Sequence, residues 1–424
     1  MKSDLNYKAS IFPRWIQMFK DYFPLIQCII CFSIAVVLQS RAFVLGYLAA
    51  ICFTYMLHKN VKLNFKKIVL IIFLALLVIL LFVFAFKTDS SLGRIFVYKI
   101  SLKVLHDYFP AGIGLGKFDV VYRQYQAEYF REGHYTIKEL LLADNTTYAF
   151  NDYLQFVIET GLTGLMLLIL GSAILILIIK NAIKQNLSRP SLLLIAVSQI
   201  IAISTAAVFT HVFEKILFQC VFITSFFIVF YYSKLLKFSI HKYVLVALLS
   251  NIIILWTSLG YFIKNHDYYN KYTKAKELLQ TGYVREASDS FRVLFPRLKD
   301  DISFSYNYSN ALIIAGDFSG AAHILEKLLP MDNSYFFYQK LGDCYFRLGK
   351  LKQAEDAYLT SIYMVPNRLK TRLALFEFYR STNQTEKAIT IARLTLTLPV
   401  KIPSVQASNI KQIIQTDLNK MLTR

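Results

Sequence analysis

The stretch Tyr148–Leu165, YAFNDYLQFVIETGLTGL, begins aromatic and polar and ends as the start of an apolar helix. The residues that follow, MLLILGSAILILII from Met166 to Ile179, carry no charge. From Gly161 to Ile179 the run is about as long as the 17–25 residues a helix needs to cross a bilayer. Asp152, Glu159, Gly161 and Gly164 sit where the character changes. The pattern predicts a segment that closes a water-facing loop and then enters hydrocarbon. Asn151 and Asp152 are expected at the wet edge, with Glu159 about two turns deeper.

Working outward, further apolar runs fall at 24–39, 42–57, 68–86, 191–209, 216–232 and 244–263. The first two join at Gln39–Arg41 and read as a tight hairpin. Seven spans are therefore expected. The composition agrees: 56% of the 424 residues are hydrophobic, against about 45–50% in soluble proteins. The mean hydropathy is +0.44. The net charge is nevertheless +20. Excess Lys and Arg between apolar runs fits cytoplasmic loops of a multi-spanning membrane protein. Nucleic-acid binding would explain the charge but not the apolar runs, and no nucleic-acid partner is expected.

Lys59, Lys62, Lys66 and Lys67 mark one loop, Lys180, Lys184 and Arg189 a second, and Lys234, Lys237 and Lys242 a third. They alternate with Arg41, with the long 87–152 loop and with THVFEK, Thr210–Lys215. The basic set and the N-terminal segment 1–23 are expected in the cytoplasm. The first twenty residues are polar, with Lys2, Lys8, Arg14 and Lys20, so they do not read as a cleaved leader. The 87–152 loop and everything after residue 264 are expected outside. A membrane domain, 24–264, is thus expected to include that large loop.

The remainder, 265–424, becomes polar and helical, and it repeats. Gly282, Gly316, Gly349 and Asn383 are 34, 33 and 34 residues apart. Ala287, Ala321, Ala354 and Ala388 follow in step, then Phe291, Leu325, Tyr358 and Ala392 four residues later. Pro296, Pro330, Pro366 and Pro399 close the units. A helix–turn–helix period near 34 resembles the tetratricopeptide repeat. LGDCYFRLGKLKQAEDAYLTSIYMVP, Leu341–Pro366, is the clearest unit. Small alanines let paired helices approach, and stacked units bury a shared core. The fold class expected is all-α: a polytopic membrane protein with a C-terminal tetratricopeptide-like solenoid. The solenoid is either a partner-binding surface or a spacer.

Five cysteines are present. Cys28-x-x-Cys31 has redox or metal-ligand spacing but lies in an apolar run with no second pair, so both read as small apolar residues. Cys344 lies alone in the repeats. No metal site and no cofactor are expected.

The 87–152 loop is rich in Tyr and Phe and contains GIGLGKF, Gly112–Phe118. Neither dinucleotide-binding nor P-loop spacing is met. A glycine turn whose backbone N–H groups approach an anion remains open. Arg41 and Arg94 flank outward ends of spans. Each is either an interface anchor or a ligand for a diphosphate, which guanidinium matches bidentately. Arg123 could assist.

QSRAFVLGYL, GRIFVYKI, FPAGIGLGKFDVVYRQYQAEYF and AFNDYLQFVIETGLTGL, in this order, resemble the O-antigen ligase and polymerase superfamily over roughly residues 38–235. Its members transfer glycans from an undecaprenyl-diphosphate carrier at the outer face of the bacterial inner membrane. The resemblance implies that Arg41 and Arg94 bind the carrier's diphosphate, and that Gly114, Gly116 and Asn151 shape the loop and sugar site. It implies metal-independent, inverting transfer to a lipid, glycan or protein acceptor, with a protein O-oligosaccharyltransferase as one variant. The family commonly carries His before that Asn, as a base or orienting group; here it is Phe150. Asp152, Glu159 and His211 are the substitute bases expected, with His134 behind them. The family usually has several more spans before the Ser-Arg segment, which leaves a shortened member, a start placed late or a degenerate, inactive homologue, and beside them a non-enzymatic membrane scaffold displaying repeats, as the competing expectations.

Overall fold

A computed structural model describes residues 22–58, 88–186, 190–235 and 240–423. The expected span 68–86, lysines 59–67, the segment 1–21, Arg189 and Lys237 lie outside the described residues. Among the described residues every regular element is a helix. The chain divides into two compact units, 1–88 with 148–261, and 89–147 with 262–424.

The first unit holds α1 (Tyr22–Val37), α2 (Arg41–His58), α6 (Asp152–Gln185), α7 (Ser191–Ala207), α8 (Ile216–Ser233) and the opening part of α9 (Ile240–Gln280). The α1–α2 turn passes through Gln39 in the left-handed region, φ 52°, as a tight connection requires. Cys28 of α1, Ala50 of α2 and Ala202 of α7 form one buried cluster. The α2–α7 crossing is close because Gly46 has no side chain: a Cβ there would lie 2.4 Å from the Ala202 carbonyl oxygen. Ile178, Leu193, Ile200 and Val229 pack α6, α7 and α8 together.

The outer face of α6 is bare and apolar. Met166, Leu167 and Ile169 are each more than 60% exposed, a surface with lipid rather than water as its natural solvent. By length and composition α6 and α8 can cross a membrane, and shorter apolar helices occur at Tyr22–Val37, Arg41–Leu57, Ser191–Ala207 and Leu245–Thr257. Helix α6 is interrupted at Gly161, whose φ of 65° and ψ of −142° are not helical. That conformation is open to glycine and costly for any L side chain.

The second unit is built on helix pairs. The end of α9 pairs with α10 (Val284–Leu298), α11 (Ile302–Ala315) with α12 (Phe318–Leu328), α13 (Tyr335–Arg347) with α14 (Leu351–Met364) and α15 (Leu369–Ser381) with α16 (Thr385–Thr397). A final helix, α17 (Val405–Leu422), follows. Gly282, Gly316, Gly349 and Asn383 all turn through the left-handed region. Ala287, Ala321, Ala354 and Ala388 are fully buried, as are Phe291, Leu325 and Ala392. The period thus builds a tetratricopeptide-like solenoid with a continuous core. Cys344 lies in that core, and burial pushes its thiol up to about 12, so it packs and does not react.

The 89–147 segment was expected to belong with the membrane spans. It folds instead with the repeats. It supplies α3 (Thr88–Tyr108), α4 (Phe118–Arg131) and the short α5 (Ile137–Leu142). Side chains reaching backbone carbonyls pin it to the solenoid. Asn333 Nδ2 donates to the Val120 carbonyl at 2.7 Å. Gln126 Nε2 donates to the Met364 carbonyl at 2.5 Å and to that of Asp144 at 3.0 Å. Asn367 Nδ2 meets the carbonyls of Leu140, Leu141 and Ala143 at 3.0, 3.1 and 2.7 Å. Ala127 packs against Met364 and Val365 beneath these bonds.

Candidate active site

Helix α6 starts because Asn151 caps it: its side-chain oxygen accepts from the Leu154 N–H at 3.0 Å. That is the favoured N-cap chemistry, and it commits one face of an amide the sequence reading placed at the sugar site. Just before it, Phe150 holds φ 54°, an unusual conformation for a bulky residue. The strain turns the chain from the loop into the helix.

Asp152 Oδ2 accepts from the backbone N–H groups of Val212 and Phe213, at 2.7 and 3.0 Å. One carboxylate oxygen is therefore spent on fixing the 211–213 turn. Glu159 is 8% exposed. Its Oε1 accepts from Gln155 Nε2 at 3.1 Å, while Gln155 Oε1 accepts from the Ala149 N–H at 3.2 Å. A chain of amides thus links the buried carboxylate to the end of the loop.

The turn that Asp152 holds carries His211. The Tyr148 ring stacks on the imidazole, with centroids 4.2 Å apart and planes 16° from parallel. The Tyr148 hydroxyl donates to Glu214 Oε1 at 2.6 Å. The Phe150 ring stands edge-on to His211, centroids 6.2 Å apart. His211 Nδ1 is buried and has no hydrogen-bond partner among the described residues. The structure thus gathers Tyr148, Phe150, Asp152, His211 and Glu214 at one point. Tyr148 and Gln155 were missed by sequence reasoning, and nothing in spacing singles them out.

Arg41 opens α2 and is half-buried; no acidic side chain among the described residues forms an ion pair with it. Its neighbour Ala42 shares a hydrophobic cluster with Val212, which Tyr153 and Phe213 border. The start of α2 therefore lies in the same packed group as the His211 turn. Arg94, on α3, belongs to the other compact unit and is half-buried beside Tyr98.

Arg123 differs from the expectation of a diphosphate ligand. It is 1% exposed. Its guanidinium pairs with Asp119 and Asp332, donates to Ser334 Oγ at 2.6 Å, and through Nε to the Asp119 carbonyl at 2.9 Å. Each of its three nitrogens is occupied, so it ties α4 to the repeats. Asp119 lies four residues before it, a spacing that already places the pair on one helix face.

Gly112, Gly114 and Gly116 all have positive φ, 80°, 96° and 70°. They form the α3–α4 turn, and Leu115 between them is 71% exposed. His134 is exposed, and its carbonyl accepts from the Tyr129 hydroxyl at 3.2 Å.

Residues 26–169 match the family model described as O-antigen ligase. That segment is therefore similar to the O-antigen ligase family, and the similarity supports a membrane glycan-transfer function in general. The matched segment ends inside α6, so the His211 turn, held by Asp152, lies beyond it. No curated protein matches the chain. Among solved structures, the "MamA RS-1 ArsTM double mutant" is 19% identical over 36% of this chain and 81% of that one, with a TM-score of 0.30. "MamA 41-end from Desulfovibrio magneticus RS-1" is 17% identical over 36% and 92%, with a TM-score of 0.29. "MamA MSR-1 C2" is 14% identical over 34% and 74%, with a TM-score of 0.26.

Proposed function

We propose that the chain is a glycosyltransferase that moves a glycan from an undecaprenyl-diphosphate carrier to an acceptor hydroxyl at the outer face of the membrane. The observation that carries the reading is the buried, unpartnered Nδ1 of His211, set beside Phe150 at the end of the loop of the segment similar to the O-antigen ligase family. The family's usual histidine is absent from position 150, and His211 takes over its place from the next turn.

In this reading the acceptor oxygen attacks the anomeric carbon while the bond from that carbon to the diphosphate breaks. The diphosphate departs with the bonding electrons, and inversion follows from attack opposite the leaving group. The acceptor's proton passes to the ring nitrogen of His211. Arg41 carries fixed positive charge for the leaving diphosphate and needs no proton transfer of its own; the family resemblance implies the same role for Arg94. Asp152 positions His211 through the Val212 and Phe213 amides, and Tyr148 and Glu214 hold the imidazole face. Glu159 steadies the loop end through Gln155. Gly114 and Gly116 set the α3–α4 turn, and the family resemblance implies that this turn shapes the sugar site. The orientation that puts these groups outside the cell is the one the basic loops favour.

The test is genetic and chemical. Deletion in the native host should change the envelope glycans, and Arg41→Ala, Arg94→Ala or His211→Ala should each fail to restore them while the protein still inserts. Wild-type glycans in the deletion strain would sink the reading. A reporter fused after Lys264 should read out as extracytoplasmic.

A further inference from the structure

The second unit contains a cavity of about 530 Å³ between α13, the start of α15 and the start of α17. The mechanism makes no use of it. Four cations line it: Lys340, Arg368, Lys370 and Lys401. Two carboxylates, Asp144 and Asp343, oppose them. Asp144 is already engaged, 3.0 Å from Arg368 and 4.0 Å from Lys401. Asp343 accepts from the Tyr358 hydroxyl at 2.7 Å. Lys340 and Lys370 form no ion pair within 4 Å among the described residues.

Two helix N-termini open on the same space. Leu369 and Lys370 line it at the start of α15, whose N-cap Arg368 makes no side-chain cap. Ser404 and Ala407 line it at the start of α17, where Ser404 Oγ already accepts from the Ala407 N–H at 3.2 Å. First-turn N–H groups add positive potential to that of the lysines. Aromatic rings line it too, with the Arg368 guanidinium 5.8 Å from the Tyr335 ring centroid. Tyr306 and Phe336 meet edge-to-face, centroids 5.2 Å apart, beside Tyr335. The amides of Gln339 and Gln406 also line the cavity.

We infer that this cavity binds an acidic glycan segment, its carboxylates on Lys340 and Lys370, its sugar faces on the aromatic rings and its hydroxyls on the two glutamine amides. The excess of cations over carboxylates selects an anion, flat rings offer stacking area, and amides serve hydroxyls rather than further charge. The choice of a glycan over an acidic peptide rests on the glycan-transfer reading; the charge of the site does not.

The test is calorimetric titration of the full-length protein in detergent with a galacturonic acid hexamer, with maltohexaose and with hexaglutamate. The uronate should bind at one site per chain, at least tenfold tighter than either comparison ligand. The double variant Lys340→Glu/Lys370→Glu should weaken it at least tenfold, and Lys340→Gln/Lys370→Gln by a smaller factor with an unchanged melting temperature. Lys327→Glu/Lys352→Glu, which alters exposed lysines away from the cavity, should leave binding as it was. Arg41→Ala should also leave it unchanged, so failure of the transfer reading and failure of this one are told apart. Absence of uronate binding, equal binding of maltohexaose, or full binding by the glutamine variant would overturn the proposal. Tighter binding of hexaglutamate would overturn it in favour of an acidic peptide.

Discussion

Arg123 and His211 were both candidates for chemistry, and the molecule treats them in opposite ways. Each nitrogen of the Arg123 guanidinium has a partner, from Asp119, Asp332 and Ser334. His211 has a buried ring nitrogen with none among the described residues. A buried polar atom left without a partner costs about 1–3 kcal/mol. Asn333, whose Nδ2 holds the Val120 carbonyl, also keeps a buried Oδ1 without a partner among the described residues. The open atom therefore marks His211 only together with its place beside Phe150, whereas the Arg123 guanidinium spends four of its five N–H donors on the protein.

The largest effect should fall on the unsatisfied side. Replacing a general base typically lowers turnover by about 10²–10⁴-fold. His211→Ala should do so, with no loss of insertion or melting temperature, as read by glycan transfer in membranes. Full activity in that variant would break the comparison. Arg123→Met should show the reverse. Removing one partner of a buried ion network costs about 3–5 kcal/mol, because Asp119 and Asp332 are left facing each other. Hydrogen exchange should speed up across α4 and α13 in the full-length protein. If the variant instead keeps its protection and loses transfer alone, Arg123 acts on substrate after all.

The repeats were readable because their physics is periodic. One turn position in four units demands a left-handed residue, and Gly282, Gly316, Gly349 and Asn383 supply it. One helix position demands a small side chain, and Ala287, Ala321, Ala354 and Ala388 are fully buried there. The apolar runs were readable for the same reason: 24–39, 42–57, 191–209 and 216–232 each coincide with a described helix. The partnership between the 89–147 segment and the solenoid was not readable. Asn333, Asn367 and Gln126 reach carbonyls 213, 224 and 238 residues away, and nothing periodic marks such bonds. Asn151 was ambiguous for a different reason, since a helix-capping amide and a sugar-binding amide look alike in sequence. The His211 site needed a turn 60 residues downstream to be brought against Asp152.

Asn367→Ala sharpens the same contrast at a smaller scale. The partly buried carbonyls of Leu140, Leu141 and Ala143 would lose their shared donor, which costs about 1 kcal/mol. The loss should appear as faster exchange in α5 and a lower melting temperature, with the solenoid core around Phe291 and Leu325 still protected. Unchanged protection in α5 would show that apolar packing, not this amide, holds the segment.

The smallest effect should come from Glu139, which closes α5 at its N-terminus. Its N–H donates to Thr136 Oγ1 at 3.2 Å, and its Oε2 accepts from the Thr136 N–H at 2.9 Å. Lys99 Nζ reaches its Oε1 at 2.6 Å. Burial pushes the carboxyl up, but Lys99 and the Thr136 donors outweigh it and bring it down to about 2. A carboxylate whose folded value is depressed adds stability above its unfolded value of about 4.5. It gives that stability up as the pH falls from there towards 2. Lys99 is half exposed, so solvent screening leaves about 1 kcal/mol. Glu139→Gln should therefore melt lower than the wild type at pH 7, and the gap should close as the pH is lowered through that window. A gap of constant size would assign the loss to the acceptor that the amide nitrogen replaces rather than to the charge, since Glu139 uses Oε1 for Lys99 and Oε2 for Thr136.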